Sequence, residues 1–294
     1  LTFGSLGTRG AGATLDLSVP AGGSVIFSTA PASNNGIVGG WATFNGVNWV
    51  VPGPALSAAT ALSSYTPMAA SGLSTTANYL STADFGVTGA ETVNSLKLAG
   101  AQTLTLGGIL TVSSGGVLFD NSTGAATITG GTLGASASEV IIHTGGSTAA
   151  NALTVASFIS GGAGSVTKSG NGTLVLAGVG SATGATRVAA GTLALGHADA
   201  LAASTLTLAA GDAGAVSFGA LAAANLGGLT GARALSLNNA SNGAVALTVG
   251  ANGASTAYAG VLSGLGSLTK VGAGTLTLSG ANTFAGATVV DAGT

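Results

Sequence analysis

The sequence predicts an all-β fold, a parallel β-solenoid of roughly 20-residue coils. Two observations carry it. The first is a long internal repeat. Residues 164–192 align without a gap on residues 266–294, 102 positions later, and 17 of 29 positions are identical. Among these are Lys168/Lys270, Thr173/Thr275, Leu174/Leu276, Gly178/Gly280, Gly184/Gly286 and Gly191/Gly293. The second is a shorter period inside it, since Gly172-Thr173-Leu174 returns 19 residues on as Gly191-Thr192-Leu193. Between these phrases lie short runs such as Thr103-Leu104-Thr105-Leu106, Thr173-Leu174-Val175-Leu176 and Thr205-Leu206-Thr207-Leu208. Period-two alternation puts Leu on one face of a strand and Thr on the other. Gly, Asn and Ser bound each run, as turns require. At about 20 residues per coil the chain would make about 14 coils, on the order of 70 Å long.

In chain order, residues 1–90 differ from the rest. They hold all five prolines, both tryptophans, and Tyr65 and Tyr79. Thr14–Val19 and Ser24–Ser28 alternate and read as strands. Trp41 to Val51 reads as a hairpin turning at Asn45-Gly46. Residues 52–82, rich in Ala, Ser and Thr with Pro52-Gly53-Pro54, read as a loop or lateral insertion. Regular coils are expected over 91–294, through Val93–Leu98, Ala126–Thr129, Glu139–Ile142, Ala152–Val155 and Ala244–Val249 to the two long copies.

Composition excludes several classes. Charged residues are 5% of the chain, against about 25% in ordinary domains. A net charge of −2 leaves no basic footprint for nucleic acid. No run of about 20 apolar residues escapes interruption by Gly, Ser or Thr, so no membrane span is expected. Abundant Leu, Val and Ala at low net charge argue against disorder. There is no cysteine, so the fold does not rely on disulfides.

The phrase Gly264-Leu-Gly-Ser-Leu-Thr-Lys270-x-Gly-x-Gly-Thr-Leu-x-Leu-x-Gly280, followed by Asn282-Thr283-Phe284 and Gly286-Ala287-Thr288, resembles the autotransporter-associated β-strand repeat. The match covers 258–294 and 158–193, where Gly180-Ser181-Ala182 stands in place of Asn-Thr-Phe, and weakens towards the N-terminus. The resemblance implies a right-handed parallel β-helix in a secreted, cell-surface passenger region of a bacterial protein. It carries no shared catalytic residue, so none transfers.

Polysaccharide-active β-helices need clustered carboxylates or calcium-binding acids. The eight acids here, Asp16, Asp84, Glu91, Asp120, Glu139, Asp199, Asp212 and Asp291, form no paired motif. Glu139/His143 and His197/Asp199 are spaced as possible partners, but two His and no Cys fall short of a zinc set. No catalytic residue, metal site or cofactor is expected. Lys168 and Lys270 are expected at exposed strand ends, where charge discourages lateral pairing. Trp41, Phe44, Trp49 and Tyr65 are the candidates for recognition, because aromatic residues concentrate at interfaces; the competing reading is a small satellite core. The two long copies are expected at equivalent positions about five coils apart, with Leu174 and Leu276 buried. Read head to tail, Gly293-Thr294 followed by Leu1-Thr2-Phe3-Gly4 restores the repeated phrase. Neighbouring coils of a longer protein, or end-to-end self-association, would explain that. The expected function is an extracellular structural or adhesive scaffold, binding a glycan or surface ligand. The alternatives are a filament-forming subunit and a carbohydrate-active enzyme.

Overall fold

A computed structural model describes residues 1–136, 139–145, 151–160, 164–180 and 182–294. Ser181, one of the residues standing in place of Asn-Thr-Phe, lies outside them. The described chain is all-β, a solenoid of about 12 turns. Coils average roughly 23 residues rather than 20. They range from 17, between Asn78 and Ser95, to 27, between Thr127 and Thr154. Pairing of the coils is parallel throughout, from Asn78–Ser81 onward.

The registers resolve into three columns of stacked strands. The first runs through Asn78–Ser81, Ser95–Ala99, Gly116–Asp120, Glu139–Thr144, Ser165–Ser169 and Ala185–Val188. The second stacks Leu104, Ile128, Val155, Leu176 and Leu195 in one line, all buried. The third holds Ala223–Leu226, Ala246–Val249, Ser267–Lys270 and Thr288–Val290. Long strands such as Gln102–Val112 serve two columns, and their register shifts between Leu106 and Ile109, where they turn the corner. One hydrophobic core runs continuously from Tyr79 to Leu268. Period-two alternation is what builds it. Leu174 and Leu176 are buried while Thr173 and Val175 are half-buried on the outer face.

The expectation for the repeated lysines is overturned. Lys168 is 0% exposed and Lys270 3%. Each sits on the inner face at the last turn before a corner and donates to three backbone carbonyls. The Lys168 ammonium reaches Ser169 O at 2.7 Å, Gly170 O at 2.8 Å and, in the next coil, Ala190 O at 3.0 Å. Lys270 repeats this with Val271 O at 2.6 Å, Gly272 O at 2.8 Å and Ala292 O at 3.2 Å. An ammonium has three N–H donors and no acceptor, so the three carbonyls use its full capacity. The repeated Gly191 and Gly293 close each cage. Both take positive φ, and a Cβ there would lie 2.7 Å and 2.8 Å from the lysine nitrogen. Burial pushes the Lys168 amine down to about 7; the carbonyls oppose this, since only the charged form can serve all three.

The two copies share this geometry but occupy different columns, which corrects the expectation of equivalent positions. Lys168's column continues through Arg187, Thr207 and Thr230, then from Gly231 through Tyr258 to Leu278. Five turns therefore take Thr167 to Thr277, 110 residues rather than 102. The eight extra residues come from coils of 23 and 27, and eight residues is also the step from Lys168 to Leu176, one column on. The second copy is thus rotated by one side of the solenoid. Leu174 is fully buried, whereas Leu276 packs on the core only half-buried.

Lys168→Met keeps the bulk of the side chain and removes the three donors. The expected loss is about 2–4 kcal/mol in urea unfolding, because carbonyls at the corner lose their partner. A loss within about 0.5 kcal/mol, as for an exposed residue, would show the cage to be dispensable.

Candidate functional site

Outward positions of an exposed solenoid strand carry Thr or Ser in most coils. In the first column they instead carry Lys97, Leu118 and His143, with Ser169 next in the same register. All four are buried, because the N-terminal residues fold back along this side. The expected hairpin is present, with Ala42–Phe44 antiparallel to Asn48–Val51 and Asn45 and Gly46 both at positive φ. Its alternation gives it two buried faces. Phe44 and Val50 join Leu17 and Phe27 in a small core of the N-terminal segment, with Trp41 packed against it. Trp49 turns the other way and packs with Ile37 on Leu118, flanked by Leu62 and Tyr65.

The four aromatic candidates are therefore placed as two pairs. Trp49 is 0% exposed and meets the His143 ring edge-on at 5.7 Å. Tyr65 is half-buried beside it, its hydroxyl 3.3 Å from Asn48 Oδ1. Burial is the main cause of its pKa being raised to about 12, so the O–H stays protonated. Trp41 and Phe44 are half-buried, and the Arg9 guanidinium lies 6.0 Å from the Trp41 ring.

Polar contacts clasp the segment to the solenoid. Arg9 Nη2 donates to Glu139 Oε2 at 2.6 Å, and the Gly12 N–H to Glu139 Oε1 at 3.0 Å. Thr167 donates to the same carboxylate, so a charge that is only 7% exposed is fully partnered. Thr14 and Ser169 hydroxyls meet at 2.9 Å, and His143 Nε2 lies 3.2 Å from Gly40 O. Gly40 and Gly116 are pressed together so closely that a Cβ on Gly40 would sit 2.4 Å from the Gly116 Cα.

Between segment and solenoid opens a cleft of about 760 Å³. Thr14, Asp16, Ser18, Thr43 and Asn45 line one wall, and His143, Ser169 and Asn171 the other. Its polar lining is mainly hydroxyl and amide groups, set beside Val19, Pro20 and Ala190. The one carboxylate, Asp16, accepts from Thr43 Oγ1 at 2.9 Å and from Gly46 N at 2.7 Å. Glu139 and His143 hold separate partners and do not act as a pair. His197 and Asp199 are half-buried and 4.0 Å apart, with Asp199 also bound by Asn225. Asp212 is held by Arg187 through two bonds of 2.8 Å and 2.7 Å. Among the described residues no group of three or more His, Asp or Glu converges as a metal site would require.

Sequence reasoning missed Arg9, Asn48, Lys97 and the covering role of this side. A signal was present. Val117-Leu118-Phe119 and Val140-Ile141-Ile142 are continuous apolar runs that break the alternation, which marks strands buried on both faces.

A family model described as the passenger-associated-transport-repeat matches residues 166–195 and 268–294. Each match opens on the lysine strand and extends past the carbonyl that the lysine takes from the next coil. Comparison with curated proteins and with solved structures gives no match.

Two outcomes are expected. Glu139→Ala leaves Arg9 without its partner at a partly buried site, which costs about 3–5 kcal/mol. Limited proteolysis should then cut within residues 1–36 well before the coils; unchanged protection would show the clasp to be unimportant. Burial, opposed by the Gly40 carbonyl, pushes His143 down to about 3. The unfolded chain takes up this proton near pH 6.5 and the folded chain only near 3, so stability is full above 6.5 and falls as pH drops towards 3. The span corresponds to at most about 5 kcal/mol. His143→Gln should flatten that part of the acid slope in denaturant titrations; an identical slope would contradict the assignment.

Proposed function

We propose that this chain, a β-solenoid carrying two passenger-associated-transport-repeats, is a non-catalytic passenger scaffold that works outside the bacterial cell. It presents a laterally attached segment for adhesion. The observation that carries the reading is the lysine cage, built identically in both repeats and bridging consecutive coils. Each coil pairs in parallel with the one before it, so coils are added one at a time. A chain emerging through a membrane folds well in that manner, with no disulfide to form. The adhesive part rests on the cleft, whose hydroxyl and amide lining suits a neutral, polyhydroxylated ligand such as a glycan. Around the cleft and the clasp, Asp16, Glu139 and Asp212 are committed to structural hydrogen bonds. That favours a scaffold over a hydrolase or lyase.

The test uses intact cells of the source bacterium. Antibody against the folded chain should label unpermeabilised cells, and external protease should remove the label. Labelling only after lysis would reject the extracellular reading. Binding to a glycan array that Asn171→Trp abolishes would support the cleft; binding unchanged by that substitution would place adhesion elsewhere.

A further inference from the structure

Where the hairpin meets the solenoid, three groups with complementary chemistry converge, and none belongs to the repeats or the cleft. Lys97 projects outward from Ser95–Ala99, Asn48 begins the hairpin strand Asn48–Val51, and Asp120 ends the strand one coil on. Lys97 Nζ lies 2.8 Å from Asn48 Oδ1 and 3.8 Å from Asp120 Oδ2. The Tyr65 hydroxyl donates to the same Asn48 Oδ1 at 3.3 Å, and its ring centre lies 5.3 Å from Nζ. Trp49 and Leu118, both fully buried, wall off one side. The Lys97 side chain is 9% exposed and that of Asp120 19%.

A lone hydrogen-bonded lysine in such a place is a buried charge at a cost. A lysine held against a carboxamide, with a carboxylate to carry protons and a hydroxyl on the carbonyl oxygen, is a reactive arrangement. We propose that Lys97 and Asn48 join through a side-chain isopeptide bond, with Asp120 as proton carrier, so that the N-terminal segment is tied covalently to the solenoid.

The step balances without a co-reactant. Asp120 takes a proton from the Lys97 ammonium. The freed amine attacks Asn48 Cγ, one bond beyond the oxygen it already touches, and the oxyanion that forms faces the Tyr65 O–H. Asp120 passes its proton to Asn48 Nδ2 and takes a second from the attacking nitrogen. The Cγ–Nδ2 bond breaks and ammonia leaves, carrying that second proton away as ammonium. One amide replaces another, and nothing is oxidised or reduced. Burial favours the first step, since it moves the Lys97 pKa below its usual 10.5 despite the opposing charge of Asp120. Tyr65, held protonated, remains a donor throughout. The bond would close the chain from residue 48 to residue 97 in a protein with no cysteine to do so.

The experiment is mass spectrometry of the folded, full chain. Its intact mass should be lower than the sequence mass by one ammonia. Cleavage after acidic residues separates Asn48, in fragment 17–84, from Lys97, in fragment 92–120. A branched peptide joining the two is expected from the wild type and should fall to background in Lys97→Arg and Asp120→Asn. Asp120→Asn keeps both reacting partners, so a folded variant without the bond isolates the proton carrier. Recovery of 92–120 with a free Lys97 from folded wild-type protein would overturn the proposal. So would an ammonia loss that maps to Asn45-Gly46 as a succinimide instead of a branch. A full yield of branched peptide from Asp120→Asn would overturn the role given to the aspartate.

Discussion

The structure depends on how a parallel solenoid satisfies its backbone at the corners. Along the flat sides each strand finds partners in the coils before and after it. At a corner the ladder breaks, and carbonyls turn inward where water is scarce. Lys168 and Lys270 answer this with one ammonium shared among three carbonyls of two coils. A buried charge is costly when unpaired, but here its donors are used in full, and glycines at 191 and 293 leave it room. The repeat is thus a coil together with its fastening to the next coil. Both matches of the family model, 166–195 and 268–294, take in the lysine and the carbonyl it reaches in the next coil.

The same logic of buried polar groups governs the N-terminal segment. Its attachment is partly apolar, through Ile37, Trp49 and Leu118. Register along the solenoid comes instead from directional contacts: Arg9 and Gly12 on Glu139, Thr14 on Ser169, Gly40 against His143. Apolar packing alone tolerates sliding along a stacked, repetitive surface. A carboxylate with several donors does not. The segment therefore sits at one level of an otherwise periodic rod and opens the cleft at that level.

Much of the fold was legible in the sequence because alternation and repetition are local signals. Thr-Leu-Thr-Leu between glycines specifies which side chains point inward whatever surrounds it, and Leu104, Leu174 and Leu206 are buried accordingly. The hairpin at Asn45-Gly46 was legible for the same reason, since the turn is written in two residues. The lysines misled because charge predicts exposure only where no partners exist. Their partners are backbone carbonyls, which leave no trace in side-chain identity. The aromatic residues stood out in the sequence as candidates for recognition, but which of them would meet the solenoid depended on the face each took in the hairpin. The Asn48, Lys97, Asp120 and Tyr65 cluster draws on four separate stretches of chain, and no spacing rule connects them.

By itself, then, the sequence determined the all-β class, the stacking of coils, the inward leucine lines and the position of the repeats. These follow from period-two patterning, which acts within one strand and its neighbours. Tertiary structure alone decided the column each repeat occupies, because coil length varies from 17 to 27 residues and a few extra residues per turn accumulate into a rotation by one side. It alone decided that Lys168 and Lys270 turn inward, and that residues near the N-terminus lie along Lys97, Leu118, His143 and Ser169. Both outcomes rest on contacts between residues distant in sequence, where the free energy belongs to the pair and is carried by neither residue's pattern.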